Sequence, residues 1–231
     1  MPSEPLLAVR NLHIGLTGGR EILGGASFEI PSGSIVGLFG DSGCGKSTLA
    51  LALLALLPRA RYRVEGEILF RGRDLCRLSA RDLERIRGAG ISIVFQDPLL
   101  ALNPVLRVRA QIREILRAHS VSADPGELLL LAGLQDPHRI LEAYPHQLSG
   151  GERQRVTIAQ ALACRAPLVI ADEPFTALDG PRVVELVGLL KRLRTDLGTS
   201  FLLISHHPGV LAAAADTTFR LHEGALTKHA A

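Results

Sequence analysis

The sequence predicts an α/β fold built around a mostly parallel sheet that is covered on both faces. Short apolar runs that read as buried strands recur along the chain, at 34–39, 91–95, 168–171 and 201–204. Segments with helical periodicity lie between them, at 47–57, 183–197 and 208–215. This alternation is typical of parallel sheets. The 231 residues are 47% hydrophobic, which is enough for one sizeable core.

Two further segments extend this core. Residues 7–30 alternate in polarity and end at a Pro-Ser-Gly turn, which predicts an N-terminal antiparallel β subdomain. Residues from about 98 to 159 show helical periodicity interrupted by Asn-Pro and Asp-Pro pairs, which predicts an inserted α-helical subdomain. We therefore expect residues 1–231 to form a single domain with one insertion.

Charge and composition exclude several classes of function. The net charge is only +3 and the arginines are dispersed, so we expect no nucleic acid as a partner. The three cysteines, Cys44, Cys76 and Cys164, match no metal-site spacing. The apolar run at 49–57 is too short to span a bilayer, and the N-terminus lacks the pattern of a secretory signal. Any work at a membrane is expected to be that of a peripheral subunit.

A glycine-rich loop at 40–47 fits the pattern G-x-x-x-x-G-K-[ST] between a predicted strand and helix. Glycines let successive backbone N–H groups point at phosphate oxygens, and the helix adds its positive end. Lys46 would reach the β- and γ-phosphates, and Ser47 would offer a hydroxyl to Mg²⁺. This indicates a P-loop nucleoside triphosphatase. The predicted nucleotide-binding residues here are Gly40, Ser42, Gly43, Cys44, Gly45, Lys46, Ser47 and Thr48.

Ser149, Gly150 and Gly151 precede an Ala-rich helical stretch and could form a second anion cradle at a helix start. Glu152 follows Ser149 by three residues, so a plain capping box is an equally open interpretation of this segment alone.

Two carboxylates, Asp172 and Glu173, end the apolar strand at 168–171. Asp172 could hold Mg²⁺ through water, and Glu173 could polarise an attacking water. Taken alone, such a pair is also a common start of a loop.

The order of these elements resembles the ABC ATPase family. The phosphate loop is followed by Gln96 at a strand end, the run LSGGERQR at 148–155 and IADEP at 170–174. Ala177-Leu178-Asp179 and a strand ending at His206 complete the pattern, so the resemblance covers about Leu7 to Gly224.

The resemblance implies a RecA-like core and two protomers that sandwich two molecules of ATP with Mg²⁺. Ser149 and Gly151 of one protomer would close over the γ-phosphate bound by the Lys46 loop of the other. Glu152 stands where Gln is common and would still accept from ribose hydroxyls. By the same resemblance, Gln96 would contact Mg²⁺ and the attacking water, and Asp179 would lie at the dimer seam. His206 would contact the γ-phosphate and, together with Glu173, position the water.

Two segments, 96–104 and 144–149, resemble importers of oligopeptides, dipeptides, nickel and metal chelates. Because the sequence ends shortly after Gly224, we expect an importer of nickel or metal chelates rather than another member of that branch. The implied partners are a second ATPase subunit, identical or paralogous, a transmembrane permease docked on the insertion, and indirectly an extracytoplasmic binding protein. The implied location is the cytoplasmic face of the cell membrane.

Alternatives remain open. An exporter ATPase for lipids or lipoproteins would share every core motif, and only the segment 96–104 speaks against it. Soluble ABC ATPases of DNA repair carry a long coiled coil, and those of translation carry two such domains, neither of which this sequence contains. Glu173 and His206 argue against an inactive regulator.

Two departures from the family pattern stand out. An adenine-stacking aromatic is replaced by Leu16 or His13, and His207 occupies a position where Asp is frequent.

Overall fold

The computed structural model describes residues 4–176 and 178–229, which form two sheets and nine α-helices. The strands are β1 Leu7–Leu16, β2 Glu21–Ile30, β3 Ile35–Phe39, β4 Tyr62–Phe70, β5 Arg73–Asp74, β6 Ile91–Val94, β7 Leu168–Asp172, β8 Ser200–Ser205, β9 Thr217–His222 and β10 Ala225–His229. The helices are α1 Lys46–Leu53, α2 Ala80–Ile86, α3 Pro98–Ala101, α4 Val108–Ala118, α5 Pro125–Leu131, α6 Pro137–Glu142, α7 Gly150–Leu162, α8 Gly180–Leu197 and α9 Pro208–Ala214.

The N-terminal sheet has the strand order β2-β1-β4-β5 and is antiparallel throughout. Leu7 pairs with Ile30 on one side and with Phe70 on the other, which places β1 in the centre. This confirms the antiparallel β subdomain that the alternation of residues 7–30 predicts.

The larger sheet has the order β10-β9-β3-β8-β7-β6, and β3, β6, β7 and β8 run parallel to one another. The α/β fold class is confirmed. The hairpin of β9 and β10 was not predicted. Its signal was the Glu223-Gly224 turn, with φ of 47° and 78°, between two alternating runs of residues.

The parallel strands are buried on both faces, but the two covers differ. On β8, Leu202 and Ile204 pack with α1 and the N-terminal sheet, whereas Phe201 and Leu203 pack with the helices α4 to α9. Successive side chains of a strand point to opposite faces, which explains this division. The predicted cover of both faces is confirmed, and on one face the antiparallel sheet shares that cover with α1.

Helices α3 to α7 occupy the chain between β6 and β7, from Pro98 to Leu162. The Asp-Pro pairs that interrupt the helical periodicity are helix starts. Asp136 accepts a hydrogen bond from the backbone N–H of Arg139 at 3.1 Å, and Pro137 opens α6. Proline is tolerated there because the first N–H groups of a helix have no intrahelical partner. In the described residues, no helix combines the length and apolarity needed to cross a bilayer.

Candidate functional site

The candidate catalytic residues meet at one edge of the parallel sheet. The strands β3, β8, β7 and β6 are neighbours in that order, so their carboxyl ends lie side by side. The loop before Lys46 follows β3, His206 follows β8, Asp172 ends β7, and Gln96 follows β6. Ligands of open α/β sheets bind outside this edge, which makes it the candidate site.

The glycines of the phosphate loop are required by geometry. Gly43 and Gly45 have φ of 78° and 108°, a region that glycine occupies without strain. A Cβ on Gly40 would lie 2.2 Å from the carbonyl oxygen of Leu221, and one on Gly45 would lie 2.7 Å from Cγ2 of Ile22. The loop therefore curls tightly against β2 and β9, with no room for side chains at these two positions.

Lys46 is held by the loop that precedes it. Its Nζ donates to the carbonyl oxygens of Gly40 at 2.8 Å and Asp41 at 2.9 Å, and the residue is only 7% exposed. Cys44 Sγ lies 4.0 Å from the same nitrogen. These contacts place an ammonium charge inside the loop, where a phosphate would complete its shell of acceptors.

A cavity of about 520 Å³ lies against the loop. Its wall contains residues 43–48, including Ser47 and Thr48, together with Leu16, Arg20 and Gly224. Of the two residues considered for the adenine side, Leu16 lines this cavity. His13 instead contacts Glu21 Oε1 at 2.9 Å through its ring. Arg20 was not predicted, because nothing in the Gly-Gly-Arg turn marks it in the sequence.

Asp172 fits the magnesium role expected of it. The residue is 6% exposed and its Oδ1 is buried with no hydrogen-bond partner in the described part of the chain. Burial raises the pKa of this carboxyl, and the neighbouring Glu173 adds to the rise, against hydrogen bonding from Ser47 and the charge of Lys46. An unpartnered carboxylate oxygen beside a serine hydroxyl matches the hard oxygen ligands of Mg²⁺. Among residues 4–176 and 178–229 no cluster of three or more His, Cys, Asp or Glu side chains forms an all-protein metal cage.

Glu173 and His206 form a direct pair. Oε2 of Glu173 lies 2.8 Å from Nδ1 of His206 and 3.5 Å from Oγ1 of Thr176. The Glu173 backbone is in the left-handed region, with φ of 50°, and its N–H donates to the carbonyl of Ile204 at 2.9 Å. This sharp turn at the end of β7 points a 7%-exposed carboxylate toward the histidine that ends β8. Strained backbone of this kind is often found at functional sites.

Gln96 is exposed in the loop after β6 and lies immediately before Asp97, which caps α3. The rings of His207 and His206 lie against each other at a tilt of 44°, with centroids 3.8 Å apart. Asp179 caps α8 by accepting from the N–H of Arg182 at 3.1 Å. Ala177, which belongs to the same motif as Asp179, lies outside the described residues.

The Ser-Gly-Gly segment starts α7, and the capping box is present. Ser149 Oγ accepts from the N–H of Glu152 at 3.2 Å, and Glu152 Oε2 accepts from the N–H of Ser149 at 2.8 Å. The capping box does not explain why positions 150 and 151 are glycines. A Cβ on Gly150 or Gly151 would meet nothing within 4 Å. The surface above them is open.

A second cavity, of about 630 Å³, opens beside this helix start. Its wall includes Ser149, Gly151, Glu152, Arg139 and Arg182. Among the described residues, this cavity and the cavity at the phosphate loop share no wall residue. One chain therefore carries two separate candidate sites.

A parallel sheet with a glycine-rich phosphate loop, a buried lysine and a carboxylate pair at its carboxyl edge defines a P-loop nucleoside triphosphatase. The family model described as ABC transporter matches residues 23–176. The chain belongs to the ABC transporter family and is its ATP-hydrolysing type of subunit.

Individual relatives agree with this assignment. A dipeptide transport ATP-binding protein of Bacillus subtilis is 40% identical over 97% of this chain and 70% of its own length. A probable peptide ABC transporter ATP-binding protein of Sinorhizobium fredii is 41% identical over 100% of this chain and 73% of its own length. The ATP-binding cassette MJ0796, solved as a dimer in a post-hydrolysis state with ADP and Pi, superposes with a TM-score of 0.80 at 27% identity, covering 97% of this chain and 99% of that one.

Proposed function

We propose that this chain powers the import of peptides by closing, with Mg-ATP, onto a second ATPase subunit. The observation that supports this proposal is that the two cavities lie at separate places on one chain. The phosphate loop leaves one side of a bound triphosphate open, and the start of α7 presents unobstructed N–H groups at a different place. Two chains arranged head to tail would bring each half-site to the other, and ATP would join them.

The site residues take the following roles in this proposal. Lys46 and the loop 40–48 hold the phosphates, while Ser47, Gln96 and Asp172 hold Mg²⁺, which neutralises developing charge on the phosphates when bound. Glu173 accepts a proton from the attacking water, and His206 orients that carboxylate and contacts the γ-phosphate. Ser149, Gly151 and Glu152 act on the partner's nucleotide, and Asp179 lies at the seam between the subunits.

The helical insertion, about 98–159, is the proposed docking surface for the permease. Large apolar side chains are exposed at its start: Phe95 at 44%, Leu99 at 53%, Leu100 at 87% and Val105 at 75%. A cluster of this kind is typical of protein interfaces. Because these residues flank Gln96 in the chain, a movement of Gln96 toward Mg²⁺ would be transmitted directly to the docked partner.

The proposed cargo class is a peptide, and the supporting observation is the printed function of the two peptide-transport relatives. The expected preference for nickel or metal chelates is not supported by these two relatives and stays a prediction. We further propose that residues 1–231 act as one domain at the cytoplasmic face of the membrane, and that an extracytoplasmic binding protein selects the cargo.

Co-purification tests the partner proposal. The tagged chain is extracted with its native membranes in detergent, and the associated proteins are identified by mass spectrometry. We expect permease subunits and an identical or paralogous ATPase, and we expect the charged pair Leu99→Asp and Leu100→Asp to lose the permeases while keeping ATP binding. The same exchange at Leu197, which is exposed on α8 outside the insertion, is the control. Recovery of the chain without any membrane protein would contradict the proposal.

A further inference from the structure

The start of α7 carries a negative charge at a place where the proposed function requires a triphosphate to dock. Glu152 is the third residue of α7, a helix of 13 residues. A carboxylate there stabilises the helix through the capping box and the helix dipole. The same charge repels an incoming phosphate. The carboxylate that stabilises the helix therefore disfavours binding of the triphosphate.

Arg139 contacts this carboxylate from a different helix. Its guanidinium binds Oε1 of Glu152, while Oε2 is occupied by the N–H of Ser149. Both oxygens of Glu152 therefore have partners. Burial alone would raise the pKa of Glu152, but the Ser149 N–H and Arg139 outweigh it, so the pKa is lowered and the group is ionised.

The pair faces the open cavity that Ser149 and Gly151 also line. The side chain of Arg139 is 51% exposed and that of Glu152 is 25% exposed. A second acid, Asp136, lies 3.8 Å from Arg139 Nε, so this one guanidinium contacts two carboxylates. Removing it would leave Glu152 without its cationic partner beside the helix start.

We infer that Arg139 is a positioning residue for the partner's ATP: by neutralising Glu152 it makes the start of α7 able to accept a triphosphate. This inference rests on the two-subunit arrangement proposed above. Arg139 acts through Glu152 and needs no contact of its own with the nucleotide. A glutamine at 152 would keep the capping box without the charge, and the requirement for Arg139 would then disappear.

A double-mutant cycle tests the inference. Arg139→Gln, Glu152→Gln and the double variant are each made in a Glu173→Gln chain, and Mg-ATP-dependent dimerisation is measured by analytical ultracentrifugation. We expect Arg139→Gln to weaken dimerisation about fivefold or more at low salt, as an uncompensated charge near a phosphate predicts. When it is added to Glu152→Gln, the same Arg139→Gln exchange should change dimerisation by no more than about twofold, since position 152 then carries no charge for Arg139 to neutralise. Arg81→Gln, on the exposed surface of α2, is the control for loss of an arginine.

The outcomes are distinct. Rescue of dimerisation in the double variant, with a defect of Arg139→Gln that shrinks in high salt, supports the inference. A double variant as weak as Arg139→Gln overturns it, because Arg139 would then act directly, and so does an Arg139→Gln chain that dimerises normally. If the Glu173→Gln parent stays monomeric while nucleotide is bound, both alone and mixed with its co-purifying ATPase subunit, the two-subunit proposal fails and this inference fails with it.

Discussion

Nδ1 of His206 lies 2.8 Å from Oε2 of Glu173, although the two residues are 33 positions apart in the sequence. The contact exists because β7 and β8 are adjacent parallel strands that end at the same edge, with Asp172 paired to Ile204. An ionised carboxylate only accepts hydrogen bonds, so Nδ1 of the histidine donates and Nε2 is left to face the site. This geometry orients a buried base and directs a ring nitrogen toward solvent.

Replacement of Glu173 by glutamine should keep nucleotide binding and lower ATP turnover about 100-fold or more, the usual scale for a general base. Turnover is measured by phosphate release and binding by fluorescence titration. Glu84→Gln, an exposed acid on α2, is the matched control. A fall of less than threefold would remove Glu173 from the role of base.

Replacement of Lys46 by alanine should weaken ATP binding by roughly 1.5–3 kcal/mol for each charged hydrogen bond that is lost. The ammonium group is already placed in the loop by the carbonyls of Gly40 and Asp41. Calorimetric titration with ATP measures the affinity of this variant. The control is Lys191→Ala, which removes an exposed lysine on α8. Equal affinity in both variants would contradict the assignment of the phosphate loop.

Replacement of Asp172 by asparagine should stabilise the nucleotide-free protein while weakening its binding of Mg-ATP. Because the pKa of Asp172 is raised in the folded state, the ionised carboxylate disfavours folding as the pH rises through that raised pKa. We expect the variant to melt at a higher temperature than the parent at neutral pH, with the gain vanishing below about pH 4, where the carboxyl is protonated in both states.

Thermal melts across this pH range measure the effect, and exposed Asp196→Asn on α8 serves as the control. A lower melting temperature at neutral pH, or unchanged affinity for Mg-ATP, would count against the role of Asp172.

Alkylation of Cys44 should block ATP binding, and bound ATP should protect the thiol. Cys44 lines the phosphate-loop cavity, and its Sγ lies 4.0 Å from the Lys46 nitrogen, so an added group would occupy the space of the phosphates. A chain with Cys76 and Cys164 both replaced by alanine isolates the reaction, which mass spectrometry follows. An alkylated chain that binds nucleotide normally would end this idea.

The sequence predicts the parallel core well because continuous apolar runs and strand-to-helix alternation are local signals. Each of β3, β6, β7 and β8 lies within two residues of its predicted bounds, and the glycine-rich loop precedes α1 as expected. The hairpin of β9 and β10 was missed because half-buried residues such as Thr217 and Phe219 give a weak alternation.

Contacts between distant segments could not be predicted in the same way. The pairing of Arg139 with Glu152 depends on how α6 packs beside the start of α7, and no pattern in either helix encodes it. The separation of the two cavities is likewise a property of the assembled fold. The roles of Gln96, Asp179 and His206 came from the family resemblance and stay predictions until variants test them.

The central claim, that ATP joins two incomplete half-sites, is tested most directly by the mass of the Glu173→Gln chain in solution. Light scattering after gel filtration should show a monomer without nucleotide and a dimer with Mg-ATP, and Ser149→Arg, which fills the open surface at the start of α7, should prevent the dimer without reducing nucleotide binding. A Glu173→Gln chain that stays monomeric when saturated with Mg-ATP, both alone and together with its co-purifying ATPase subunit, would contradict the account.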